Sequence, residues 1–306
     1  MAHSPSSTPT TVPAEPRAAS PASISSTESR GGGPSVAACI IGDEILNGKI
    51  QDTNTRFLAQ QCFQRGLTLN KVEVVGDEFA DIAESIRRLS AQYDLVLTTG
   101  GIGPTHDDIT YEAIGRTFGQ ELVLHQPTLD RMAQVTPEKF RQQRDEGARK
   151  AQERMALFPA GAKVFYPRED LWVPVASVAN VFIFPGIPEL FQKMLVPWLD
   201  HELVRQAEDG GGGVGDKGEG SGAARSAPRP FIRVTVATQQ PESQIATCLT
   251  DLQARMGNRV KVGSYPLWRN ERAKVAVTFV GRDQTLLDRC AAEVKQAVDG
   301  FDWTET

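Results

Sequence analysis

Apolar positions along the chain fall into two kinds of run. Residues 36–41 are continuously apolar, the pattern of a central strand buried on both faces. Residues 69–75, 94–98 and 181–184 repeat that strand pattern in shorter or more interrupted form. Between these runs the spacing lengthens to that of helices. Asp52-Thr53-Asn54 supplies N-cap chemistry for a helix carrying Phe57, Leu58, Cys62 and Phe63, closed by Gly66. Ile82, Ile86 and Leu89 mark a second helix over 80–90, and a third is expected near 109–118. A longer helical region is expected over about 128–155, and another helix from about Pro188, where the missing N–H of proline is harmless. Strand–helix alternation of this kind predicts an α/β domain, a mostly parallel sheet with helices on both faces.

Two stretches interrupt the pattern. Residues 1–34 are rich in Ser, Pro, Ala and Thr and read as disordered, because they offer too little apolar surface to offset the entropy of ordering. Residues 207–230 contain a run of four glycines, Gly210 to Gly213, and read as a Gly-rich linker. The predicted organisation is therefore an α/β domain over 35–206 and a small α+β lobe over 231–306. In that lobe 231–237 and 274–280 read as strands, and 242–256 and 283–298 as helices. The four tryptophans, Trp172, Trp198, Trp268 and Trp303, read as packing residues.

Composition narrows the function classes. The 306 residues carry a net charge of −5 and no Lys/Arg run longer than a pair, which argues against a nucleic-acid binder. No apolar run approaches the roughly 20 residues that span a bilayer. Four cysteines without a CxxC, and no secretory h-region, predict reduced thiols and a cytoplasmic chain, with a mitochondrial location less favoured.

The candidate chemistry sits just after the strands. Gly100, Gly101 and Gly103 follow the 94–98 strand and permit positive φ and close approach of backbone to a ligand. The helix that follows would direct N–H groups at a phosphate, with Thr105 as an extra donor. Ligands of open α/β sheets bind there, beyond the carboxyl ends of strands. Asp107 and Asp108 would repel an anion unless a cation intervened, and a Mg²⁺-like ion shared with ligand phosphates is one arrangement that fits. A helix cap beside a solvated charge is the other, and the two stand evenly matched. The loop after the first strand adds Asp43, Glu44 and Asp52, which also suit a polar turn with an N-cap. Residues 184–189 form a third strand-to-helix turn, either a pocket wall or simply a rigid turn. Two other motifs fail. Ile50 stands where a P-loop needs Ser or Thr, and His106 stands at the third glycine position of a dinucleotide fingerprint.

Taken together, Gly42-Asp43-Glu44-Ile45-Leu46, Asp52-Thr53-Asn54-Thr55, the run from Thr98 to Thr110 and the run from Phe184 to Leu190 resemble the molybdopterin-binding (molybdenum-cofactor biosynthesis, MoaB/Mog-like) family. The CinA-like branch and the N-terminal domain of eukaryotic FAD synthases are the most similar. Val262-Gly263-Ser264-Tyr265-Pro266 resembles the small lobe that follows this domain in that branch. The resemblance implies a doubly wound α/β domain that forms dimers or trimers. It implies a site between the Gly42 turn and the Gly100 loop, with Asp108-Ile109-Thr110 matching a functionally important position of the molybdenum-cofactor enzymes. In the CinA-like branch it implies metal-dependent hydrolysis of phosphoric anhydrides such as FAD or ADP-ribose.

On this reading Asp43, Asp107 and Asp108 are the catalytic candidates, and Asp52, Asp107 and Asp108 would hold Mg²⁺, Mn²⁺ or Co²⁺. Gly100, Gly101, Gly103, Thr105, Thr110 and Asn54 would bind the ligand, a nucleotide or pterin phosphate. No tightly bound organic cofactor, nucleic acid or membrane partner is expected. The alternatives are molybdopterin binding or adenylylation, and a non-catalytic nucleotide-binding module. Because the sequence stops at Thr306, neither an FAD-forming domain nor a CinA-type amidase domain is expected in it.

Overall fold

The computed structural model describes residues 33–135, 137–138, 145–209 and 228–304. Residues 1–32 and 210–227, most of the two stretches the sequence assigns to disorder and linker, lie outside the described residues.

The first unit is built on a six-stranded sheet. Its strands are β1 (Ser35–Ile41), β2 (Thr68–Val75), β3 (Leu95–Thr99), β6 (Lys163–Phe165), β7 (Val175–Val178) and β8 (Val181–Phe184), in the order β2-β1-β3-β8-β7-β6. Strands β2, β1, β3 and β8 run parallel, while β7 and β6 add antiparallel to β8. A separate two-stranded ribbon pairs β4 (Leu122–Leu124) with β5 (Leu157–Pro159).

The unbroken apolar run of β1 follows from its position. Successive side chains of a strand point to opposite faces. Val36, Ala38 and Ile40 pack toward α2 (Asn54–Gln64) and α7 (Pro188–Asp209), in a core containing Leu58, Cys62, Met194 and Trp198. Ala37, Cys39 and Ile41 pack toward α3 (Phe79–Gln92) and α4 (Thr110–Thr117), against Ile82, Ile86 and Ile114. With both faces covered, every position of β1 after the partly exposed Ser35 is apolar.

Three helices complete the unit: α1 (Asp43–Leu46), α5 (Gln126–Val135) and α6 (Glu146–Arg154). The expected single helix over 128–155 is corrected to α5 and α6, with the residues between them largely outside the described set. Asp145, extended at ψ 176°, starts α6 afresh, and its carboxylate accepts from the Ala148 N–H at 2.7 Å. Asn180, which interrupts the last apolar run in sequence, occupies the β7–β8 hairpin turn. There its amide donates to Ser90 O at 3.0 Å and Tyr93 O at 2.7 Å.

The second unit is an antiparallel sheet of β9 (Ile232–Thr238), β10 (Val260–Pro266), β11 (Val275–Gly281) and β12 (Phe301–Asp302), ordered β10-β11-β9-β12. Helices α8 (Glu242–Met256) and α9 (Gln284–Ala297) close a core of Val236, Val277, Phe279, Leu249, Leu252 and Leu287. The two units meet where the Phe231 N–H donates to Phe63 O at 3.1 Å and the two rings approach to 5.5 Å. Among the described residues no helix is long and apolar enough to cross a membrane. All four cysteines are free thiols.

Candidate functional site

A cavity of about 450 Å³ opens beyond the C-terminal ends of β1, β3 and β8, where a parallel sheet places ligands. It gathers the three strand-to-helix loops that the sequence singles out. From the first come Glu44, Ile45 and the 50–54 segment, from the second Gly100 to Pro104 with Asp108, and from the third Pro185 to Pro188. Tyr111, Met155 and Trp172 complete a largely apolar wall. Of the four expected packing tryptophans, Trp198 is deeply buried in the core, Trp172 packs against that core while also lining the cavity, and Trp268 lies exposed.

The glycines are required by contact as well as by φ. Gly100 and Gly101 take φ of 111° and 64°, in the region that favours glycine. A Cβ on Gly100 would overlap the Ile41 carbonyl oxygen, and one on Gly186 would stand 3.1 Å from the Gly100 Cα. The second loop is thus packed backbone to backbone against the end of β1 on one side and the third loop on the other. Thr110, fully buried, lies beneath the second loop, its hydroxyl donating to Gly100 O at 2.9 Å and its N–H to Gly101 O at 3.0 Å. Thr110 accordingly holds the loop from below and is not part of the cavity lining.

Asp108 has a role that spacing alone left open. Its carboxylate accepts from Gly103 N at 2.6 Å, from Thr105 N at 2.8 Å and from the Thr105 hydroxyl at 2.6 Å. The loop N–H groups of Gly103 and Thr105 thus meet an internal anion rather than an open phosphate site. Among the described residues the N–H groups of Gly101 and Ile102 have no acceptor. Asp107 lies outside the lining. The Thr105 hydroxyl, 2.5 Å away, holds the Asp107 carboxyl below its ordinary range, helped by its own backbone N–H and by the charges of His106 and Arg154. The His106 side chain is 97% exposed.

Asn54 is the most constrained polar group of the site. It is buried, and its amide nitrogen donates to Thr99 Oγ1 and to Gly186 O, each at 2.9 Å. The Thr99 hydroxyl itself donates to Pro185 O at 2.9 Å. Both neighbours of the Asn54 nitrogen are therefore acceptors, which fixes the amide orientation. Its Oδ1 is left buried without a donor, an arrangement worth roughly 1–3 kcal/mol of unmade hydrogen bonding.

The remaining carboxylates divide. Asp52 lines the cavity and accepts from the N–H and hydroxyl of Thr55, as the N-cap reading expects. Glu44 lines it too. Asp43 does not: its N–H donates to Asp77 Oδ2 at 3.0 Å, on the β2 side of α1. Burial pushes the Asp77 carboxyl up, and the charges of Asp43, Glu44 and Asp107 add to that shift against one backbone hydrogen bond. Sequence spacing did not point to Asp77 or to Arg154. The Arg154 guanidinium ends α6 and donates to Asp108 O at 3.0 Å from 46 residues downstream. Among the described residues, no three His, Cys, Asp or Glu side chains form a preformed metal cage. Glu44, Asp52 and Asp108 are the carboxylates that line the cavity.

A family model described as a probable molybdopterin binding domain matches residues 37–203. The chain belongs to this molybdopterin-binding domain family. A second model, the FAD synthase middle domain, matches residues 230–303, the small lobe of this family member. A "Probable FAD synthase" of Caenorhabditis elegans is 25% identical over 86% of this chain and 50% of its own length. A "CinA-like protein" of Citrifermentans bemidjiense is 35% identical over 57% of this chain and 42% of its own. The chain spans about half the length of these curated relatives. Among solved structures, a CinA protein of unknown function from Thermoplasma acidophilum is 25% identical over 57% of this chain and 99% of its own, with a TM-score of 0.48.

Proposed function

We propose that the cavity binds a nucleotide- or pterin-type phosphate and that the chain hydrolyses the phosphoric anhydride of a dinucleotide-like substrate, FAD or ADP-ribose being the first choices. The observation that carries this reading is one cavity combining an apolar ring-sized wall, two acceptor-free backbone N–H groups and three carboxylates. The N–H groups of Gly101 and Ile102 take phosphate oxygens, and Tyr111, Met155 and Trp172 flank the ring. Asn54 Oδ1 accepts from a ring N–H or a ribose hydroxyl, which gives the buried acceptor its missing donor.

Hydrolysis adds water to one phosphorus of the P–O–P link, and the bridging oxygen leaves on the other. The proton released from water passes to a carboxylate of the Glu44, Asp52 and Asp108 set. A bound divalent ion would supply charge neutralisation on the anhydride. The relatives named FAD synthase support an enzyme acting on nucleotides. Family membership keeps molybdopterin binding or adenylylation as the second reading.

The test is cleavage of FAD and ADP-ribose by purified protein with Mg²⁺, Mn²⁺ or Co²⁺ and with chelator. Metal-dependent cleavage that falls by about 100-fold or more in Asp108→Asn is expected, the scale of lost transition-state stabilisation at an active site. Pterin-phosphate binding without any cleavage would replace the hydrolase reading with the second.

A further inference from the structure

A second cavity, of about 800 Å³, lies where the small lobe meets α2 and β2. Its charge is one-sided. Arg56 comes from the first unit and Arg233, Arg259, Lys261 and Arg282 from the second, against the single carboxylate of Asp283. None of the five cations pairs with a carboxylate among the described residues. Asp283 is committed to its own helix, where it caps α9 by accepting from Leu286 N at 3.1 Å. The chain as a whole carries a net −5, so this gathering runs against its average. Like charges brought together in one cleft repel, and the repulsion persists until an anion fills it.

From this we infer that the interlobe cleft is a second binding site, for a nucleotide-sized polyphosphate. The volume suits a small molecule of that size. The side chains of Arg259 and Lys261 are exposed and make no hydrogen bond among the described residues, free to turn toward a phosphate chain. Arg282 is already oriented, donating to Gly66 O at 2.8 Å and to Arg229 O with its guanidinium 4.2 Å from the Phe231 ring. A nucleic-acid strand fits less well, because single strands need open aromatic faces for base stacking. Phe63 and Phe231 face each other and are covered by Arg233 and Arg282. The cleft is separate from the cavity at the strand ends and shares no lining residue with it.

The experiment is equilibrium binding of inorganic triphosphate and ATP to the full chain with chelator present, at low and high salt. Binding that weakens with salt is expected. Lys261→Glu and Arg259→Glu should each weaken it by about 10-fold or more, and Lys261→Gln by less. Equal affinity in the charge-reversed variants would overturn the proposal. Displacement of ATP from the reversal-sensitive site by a single-stranded oligonucleotide, at lower concentration than ATP itself, would replace it with a nucleic-acid surface.

Discussion

At Asn54 a single side chain holds three loops and still has an acceptor to offer. Replacing it by leucine removes the donor that Thr99 and Gly186 share, leaving buried oxygens unpaired. We expect Asn54→Leu to lower unfolding stability by about 1–3 kcal/mol and to lose ligand binding, by thermal melting with and without FAD. A variant that melts lower yet keeps the full ligand-induced shift would show that Oδ1 does not meet the ligand. The neighbouring aspartates show how far residue-level reading reaches. The glycines of the loop were legible because their spacing after a strand has few other uses. The role of Asp108 was not, because its partners at Gly103 and Thr105 precede it, whereas a cap accepts from residues that follow. Arg154 reaches the loop from a helix 46 residues away, a contact that only tertiary packing creates.

Among the elements, β2 and α3 are joined by the Arg88–Glu73 pair, in which the Glu73 side chain is 13% exposed and Arg88 41%. The Arg88 hydrogen bond holds the Glu73 carboxyl below its ordinary range, against a smaller opposing effect of burial. A folded-state value below the unfolded one adds stability above the unfolded carboxylate's titration. That stability is lost as pH falls through the folded value. Glu73→Gln should therefore cost up to about 1 kcal/mol near neutral pH, since Arg88 is well solvated. The difference from the parent should shrink as urea titrations move to acid pH, and a constant gap would rule out the pair as its source. The parallel core was readable because β1, β3 and β8 are apolar on both faces. The strands β4 to β7 are three or four residues long and give periodicity too little length to register. In the small lobe β10 escaped for another reason. It carries Gly263, Ser264 and Pro266, residues of turns, which an edge strand tolerates because one side needs no ladder.

For the molecule as a whole, the junction between the units rests on few groups. Arg282 bridges them through Gly66 O, and Phe231 N–H donates to Phe63 O. Arg282→Ala should speed hydrogen exchange at the Phe231 amide while leaving the amides of β1 and β3 unchanged, because each unit keeps its own core. Uniform acceleration in both units would mean that they unfold together. The close packing at the other end of the sheet bears on how such a protein changes its ligand. Gly186 rests against Gly100, Gly100 against Ile41, and Asn54 ties the first loop to the third. The floor of the cavity therefore behaves as a keystone: no one of its three loops can be enlarged without displacing the others. New substrate preferences must arise at the rim, at Ile50, Met155, Trp172 and Ile187, where a side chain can change size without moving backbone. Descendants of this architecture would then diverge in what they recognise while keeping one unaltered base.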